Sequence, residues 1–88
     1  MNLYSNSQSI EERVRSLIAW TFVIDEADVK DDTHFVKDLG ADSMDLIELV
    51  ISVNETFSVE LDATHLESML TTCGLIQTIK TAKETVTN

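Results

Sequence analysis

The residues best placed to do chemistry lie in one octet, Asp38-Leu39-Gly40-Ala41-Asp42-Ser43-Met44-Asp45. A serine sits between two aspartates, after a glycine and before a strongly periodic apolar run. Asp42 or Ser43 is a good helix N-cap, and Asp42 with Asp45 three positions on has capping-box spacing, with Asp in place of Glu. Gly40 supplies a corner with access to positive φ just ahead. Ser43 is therefore expected at an exposed helix N-terminus, where unpaired backbone N–H groups and the helix dipole favour a phosphate. Two readings stay open on these grounds. Ser43 caps a helix and does nothing more, or it is a point of attachment through a phosphodiester.

Rival chemistry is thin. His34 and His65 are the only histidines, Cys73 is the only cysteine, and no pair has metal-ligand spacing. Spacing alone permits a Ser43–His–Asp triad, but Ser43 lacks a Gly-x-Ser-x-Gly setting. With only Gly40 and Gly74 in the chain, no glycine-rich phosphate cradle can be built. The acidic stretch 25–42 fails as a calcium loop from Asp25, Asp28 or Asp38, because oxygen ligands do not fall at alternate positions and no Glu stands twelfth. His65 is expected to be a solvated helix residue, and Cys73 a small packed hydrophobe beside a helix start.

The elements that must position Ser43 follow from periodicity. Ser9 and Glu12 form a capping box that opens a helix with Ile10, Val14, Leu17, Ile18 and Phe22 on one face. Trp20 falls off that stripe, either on the rim or under the following loop. Val23 and Ile24 extend apolar character past the expected end, and no glycine closes it. The connection 25–42 is long for so small a domain and is expected to fold down on the core through Val29, Phe35, Val36 and Leu39.

The next helix is predicted over 43–56, in three stripes. Leu46, Leu49, Val50, Val53 and Phe57 form the core side. Asp45, Glu48, Ser52 and Glu55 face outward, and Met44, Ile47 and Ile51 form a smaller apolar stripe beside the acids. That stripe either packs against the long loop or is an exposed docking surface. Residues 57–61 alternate, but a lone strand has no partner, so they read as an extended connector. Asp62 can cap a short third helix with Leu66, Met69 and Leu70. Thr71 or Thr72 can cap a fourth, with Leu75, Ile76, Ile79, Ala82 or Lys83, and Val86; Gly74 weakens it modestly. The expected fold is all-α, a small four-helix bundle with a long loop between helices 1 and 2. A flexible leader over 1–8, a domain over 9–83 and a frayed end over 84–88 complete the expected organisation.

Composition narrows the partners. Eighty-eight residues make one small domain, and a deep enclosed active site is unexpected at this size. A formal charge of −10 argues against nucleic acid and anionic membrane and favours basic protein surfaces. The start of the chain is polar, no apolar run approaches membrane-spanning length, and a single cysteine forms no intrachain disulfide. The expectation is a cytoplasmic monomer without stable membrane insertion.

The octet closely resembles the 4′-phosphopantetheine attachment motif of acyl carrier proteins, whose usual form is Asp-Leu-Gly-Ala-Asp-Ser-Leu-Asp. Ile10-Glu11-Glu12-Arg13-Val14, Phe35-Val36, Glu48-Leu49-Val50 and Phe57 also look like the freestanding bacterial type, without gaps from Ser9 to Ile79. The resemblance implies a carrier and not a catalyst. Ser43, flanked by Asp42 and preceded by Gly40, would be esterified by a phosphopantetheinyl transferase using coenzyme A. Acyl groups would ride as thioesters on the thiol of that arm, in fatty acid or related lipid or polyketide biosynthesis. Asp42, Asp45, Glu48 and Glu55 would meet basic docking patches on acyl-transferring and chain-modifying synthase enzymes, with Met44, Ile47 and Ile51 supplying apolar contact. By the same resemblance the acyl chain can slip between the helices of a bundle loose enough to open.

Several positions depart from the family's pattern. Asn54-Glu55-Thr56 stands where an acidic run is usual, so partner contact is expected to be weaker there or differently specific. Asp62-Ala63-Thr64-His65-Leu66-Glu67-Ser68 is more neutral than usual, and Trp20 and Val23 replace a polar residue and a glycine. These departures fit a carrier for a specialised pathway; the intact acid stripe around Ser43 keeps generic acyl transport first. An aminoacyl- or peptidyl-type carrier and a non-carrier interaction subunit are the alternatives.

Overall fold

Ser9 begins the first helix as expected. Its hydroxyl accepts from the Glu12 amide at 3.1 Å, and the Glu12 carboxylate accepts from the Ser9 amide at 3.4 Å. A computed structural model of the chain describes residues 9–85. Helix α1 runs Ile10–Phe22, α2 runs Ser43–Phe57 and α3 runs Thr72–Thr85. A seven-residue 3₁₀ helix, Ala63–Met69, stands between α2 and α3 and completes an all-α four-helix bundle. One 3₁₀ turn, Glu26–Asp28, lies in the long loop, and the described residues contain no strand.

The expected faces pack. Val14 and Ile18 of α1, Leu49, Val53 and Phe57 of α2, and Leu75, Ile76 and Ile79 of α3 are buried around Phe35, while Leu46 and Val50 are half-buried against them. Phe22 stacks on Phe35, with ring centroids 5.9 Å apart. The connector is extended as predicted and turns Val59 and Leu61 into the core. Asn54 holds it there: its side-chain amide donates to the Leu61 carbonyl at 3.0 Å and accepts from the Leu61 amide at 2.9 Å. An acid at that position could accept but not donate, which gives Asn54 a structural reason apart from any partner.

Three expectations need correction. Val36 is exposed and does not anchor the loop, which is held by Val29 and Phe35, with Leu39 half-buried. Cys73 is exposed, not packed. His65 is half-buried and its Nδ1 accepts the Asp62 amide at 3.1 Å, so it closes the capping box of the 3₁₀ helix. Val86 and the 1–8 leader lie outside the described residues.

Both αL helix ends lack glycine. Val23 closes α1 at φ 56° and Ser58 closes α2 at φ 56°. The carbonyl end of α2 is capped from other helices: Arg13 of α1 donates to the Thr56 carbonyl and Lys83 of α3 to the Phe57 carbonyl, each at 3.0 Å. Arg13 also lies over the Phe57 ring, 4.6 Å from its centroid.

Candidate functional site

Ser43 is placed by a chain of backbone bonds that starts at the junction before α3. The junction before α3 pairs with the long loop, the Phe35 amide donating to the Leu70 carbonyl at 2.8 Å and the Thr72 amide to the Thr33 carbonyl at 3.1 Å. Phe35 in turn accepts from the Ala41 amide at 2.9 Å. Between them a compact turn is tied by the Asp38 carboxylate and the His34 ring. Asp38 accepts the His34 amide at 2.8 Å, and His34 Nδ1 accepts the Val36 and Lys37 amides at 3.2 and 3.1 Å. Gly40 turns the corner at φ +72°. Ala41 is buried, so the chain is fixed two residues before Ser43.

Asp42, not Ser43, is the N-cap. Its carboxylate accepts the Asp45 amide at 2.9 Å, and Asp45 returns a bond from the Asp42 amide at 3.1 Å. This leaves the Ser43 side chain exposed in the first turn of α2 with no capping duty. The Ser43 and Met44 amides have no hydrogen-bond partner among the described residues. These are the first two donors of a fifteen-residue helix, pointing where the dipole is positive. Neither His34 nor His65 hydrogen-bonds to Ser43, and no group of acids, histidines and cysteine could hold a metal among the described residues.

A surface suited to a protein partner runs away from Ser43 along α2. Glu48 and Glu55 are exposed, whereas Asp45 is half-buried and engaged in the cap. Met44 is 63% exposed, Ile47 47% and Ile51 52%, so this stripe faces solvent and does not pack under the loop.

A comparison with protein families matches residues 12–77, about three quarters of the chain, to the phosphopantetheine attachment site family. The chain belongs to that family. It is a carrier protein whose kind receives 4′-phosphopantetheine covalently and meets phosphopantetheinyl transferases and synthases. The residues present fit that group: an exposed hydroxyl, two unpaired amides and a helix N-terminus converge at one place in this carrier. No helix of the described residues is long and apolar enough to cross a membrane.

Trp20 and Val23 were not singled out as site residues from the sequence, yet they are 82% and 88% exposed. The sequence signals are that Trp20 falls off the apolar stripe, that no glycine closes the helix near Val23, and that the two replace a polar residue and a glycine in the family's pattern.

Proposed function

We propose that Ser43 is the attachment serine, and that the chain carries acyl groups as thioesters in fatty acid or related lipid or polyketide biosynthesis. In this reading it works as a cytoplasmic monomer serving separate enzymes. The observation that carries it is the exposed, non-capping Ser43 beside two unpaired amides, inside the span matched to the family. When bound, the phosphopantetheine arm supplies the thiol on which acyl groups are carried. The chain's own residues do the rest. Asp42 and Asp45 hold the backbone so that Ser43 Oγ projects to solvent, and Gly40 makes the corner that brings Asp42 into capping position.

Magnitudes favour a mobile arm. A helix N-terminus stabilises an exposed anion by about 0.3–1 kcal/mol. Repulsion from a carboxylate about 4 Å away in water is roughly 1 kcal/mol. With Asp42 and Asp45 on either side the repulsion equals or exceeds the attraction. A phosphodiester on Ser43 is therefore tolerated without being pulled down onto the surface, as an arm that visits several enzymes requires. Glu48, Glu55, Met44, Ile47 and Ile51 supply the mixed acidic and apolar surface for the basic patches of those enzymes.

The test is incubation with coenzyme A and a broad-specificity phosphopantetheinyl transferase, followed by intact mass spectrometry. One phosphopantetheine mass is expected on the parent chain and none on Ser43→Ala. No gain, or an equal gain in the variant, sinks the reading. The mass of the arm's cargo on protein purified from its own host then distinguishes an acyl from an aminoacyl or peptidyl carrier.

A further inference from the structure

The end of α1 carries two residues that the fold does not use. Trp20 is the only tryptophan and leaves most of its indole in water, forgoing the burial that makes this side chain valuable to a core. Val23, next to the helix end, is a β-branched residue held at φ 56° with its side chain in solvent. The left-handed region is costly for such a residue and free for glycine. Neither packing nor backbone preference accounts for the pair.

Both line an open hollow whose ionisable walls are three carboxylates, Asp25, Glu26 and Glu48. Glu26 is steadied by the Ser16 hydroxyl, which donates to it at 3.1 Å. Glu48 joins this hollow to the surface running from Ser43. It lies five positions along α2 from Ser43, roughly 7.5 Å along the helix axis. A protein interface of ordinary size covers about 800 Å² on each side, a patch about 30 Å across. An enzyme seated on Ser43 and Glu48 is thereby brought to the hollow that Trp20 and Val23 line with Glu48.

We propose that Trp20 and Val23 are an anchor for the phosphopantetheinyl transferase, seated in an apolar recess of that enzyme with basic residues around its rim to meet Asp25, Glu26 and Glu48. This rests on the proposed role of Ser43. The transferase is the occupant because its active site must come to the serine oxygen itself, five positions from Glu48 in the wall of the hollow, whereas an enzyme acting at the thiol can dock along α2 without contact at Ser43. The acidic walls select a basic partner and oppose a second copy of a chain with net charge −10. An aromatic side chain rimmed by charge is the composition that concentrates binding energy in interfaces.

The experiment measures phosphopantetheine loading by the host's own transferase at subsaturating coenzyme A, for the parent, Trp20→Ala and Val23→Gly. Expected is a fall in kcat/KM of about tenfold or more for Trp20→Ala, expressed in the KM for the carrier, with a smaller fall for Val23→Gly. Neither change should lower Tm. A parent that gains no mass at Ser43 fails the carrier reading itself. A loaded parent with both variants at parental kcat/KM overturns the anchor alone. A dimer by sedimentation that Trp20→Ala makes monomeric also overturns it. A chain made with 5-fluorotryptophan and Ser43→Ala gives one ¹⁹F resonance, and transferase with coenzyme A should shift or broaden it. No change at saturation overturns the anchor whatever the variants do.

Discussion

Gly74 occupies the first turn of α3, where the end of the 3₁₀ helix passes so close that a Cβ would run into the Ser68 carbonyl oxygen. Thr71 caps the same turn, its hydroxyl accepting the Gly74 amide at 3.0 Å. Helix propensity alone says that alanine should improve this position by up to about 1 kcal/mol. The contact says the reverse, since it is backbone and cannot rotate aside, and overpacking costs about 1–3 kcal/mol. Gly74→Ala is therefore expected to lose about 1–2 kcal/mol in urea unfolding, and a neutral or stabilised variant would show that the junction yields. Gly40 poses a different problem, with open space around it and only its φ of +72° to satisfy. The sequence marks Gly40 through the octet that contains it. It marks Gly74 only as a weak helix residue, because a close approach between two segments leaves no local trace.

At the scale of elements, starts were legible and ends were not. Ser9 with Glu12 and Asp42 with Asp45 announce α1 and α2 because both partners of a capping box lie within one turn. The ends close on Val23 and Ser58 in the left-handed region, and neither residue type signals that conformation. The loop's descent onto the core was expected, but Val36 could not be told from Phe35 by apolarity, since the pairing with Leu70 that turns one inward is long-range. Long-range contacts also join the helices themselves. Lys80 of α3 donates to Glu11 Oε2 of α1 at 2.6 Å, and this bond is the main reason the Glu11 carboxyl titrates below the ordinary glutamate range. A lowered carboxylate stabilises the fold above its unfolded pKa and ceases to do so as pH falls through its folded value. The Tm difference between the parent and Glu11→Gln should thus be full at neutral pH and shrink as the pH drops below the ordinary glutamate range. A difference constant down to strong acid would mean that the pair contributes packing alone.

Across the whole molecule the charge is more one-sided than its total of −10 suggests, because four of the six cations are engaged with other parts of the chain. Of six lysines and arginines, Arg13 and Lys83 cap carbonyls of α2, Lys80 binds Glu11 and Arg15 lies 4.0 Å from Asp31. Glu48 and Glu55, by contrast, stand in solvent beside Met44 and Ile51. The same residues that tie the bundle together thus leave its outer field negative, and a basic enzyme surface is steered toward the face that leads from Ser43. Because Glu48 is exposed and outside every cap, Glu48→Lys should leave helicity and Tm near parental values. It should slow loading and acyl transfer several-fold at low ionic strength, mainly through the association step. The defect should narrow as salt shortens the screening length from about 30 Å at 0.01 M to about 8 Å at 0.15 M. Rates measured by intact mass at both salt concentrations decide the matter: equal rates at low salt would make the acid stripe a solvated face, whereas a salt-dependent gap assigns it to docking.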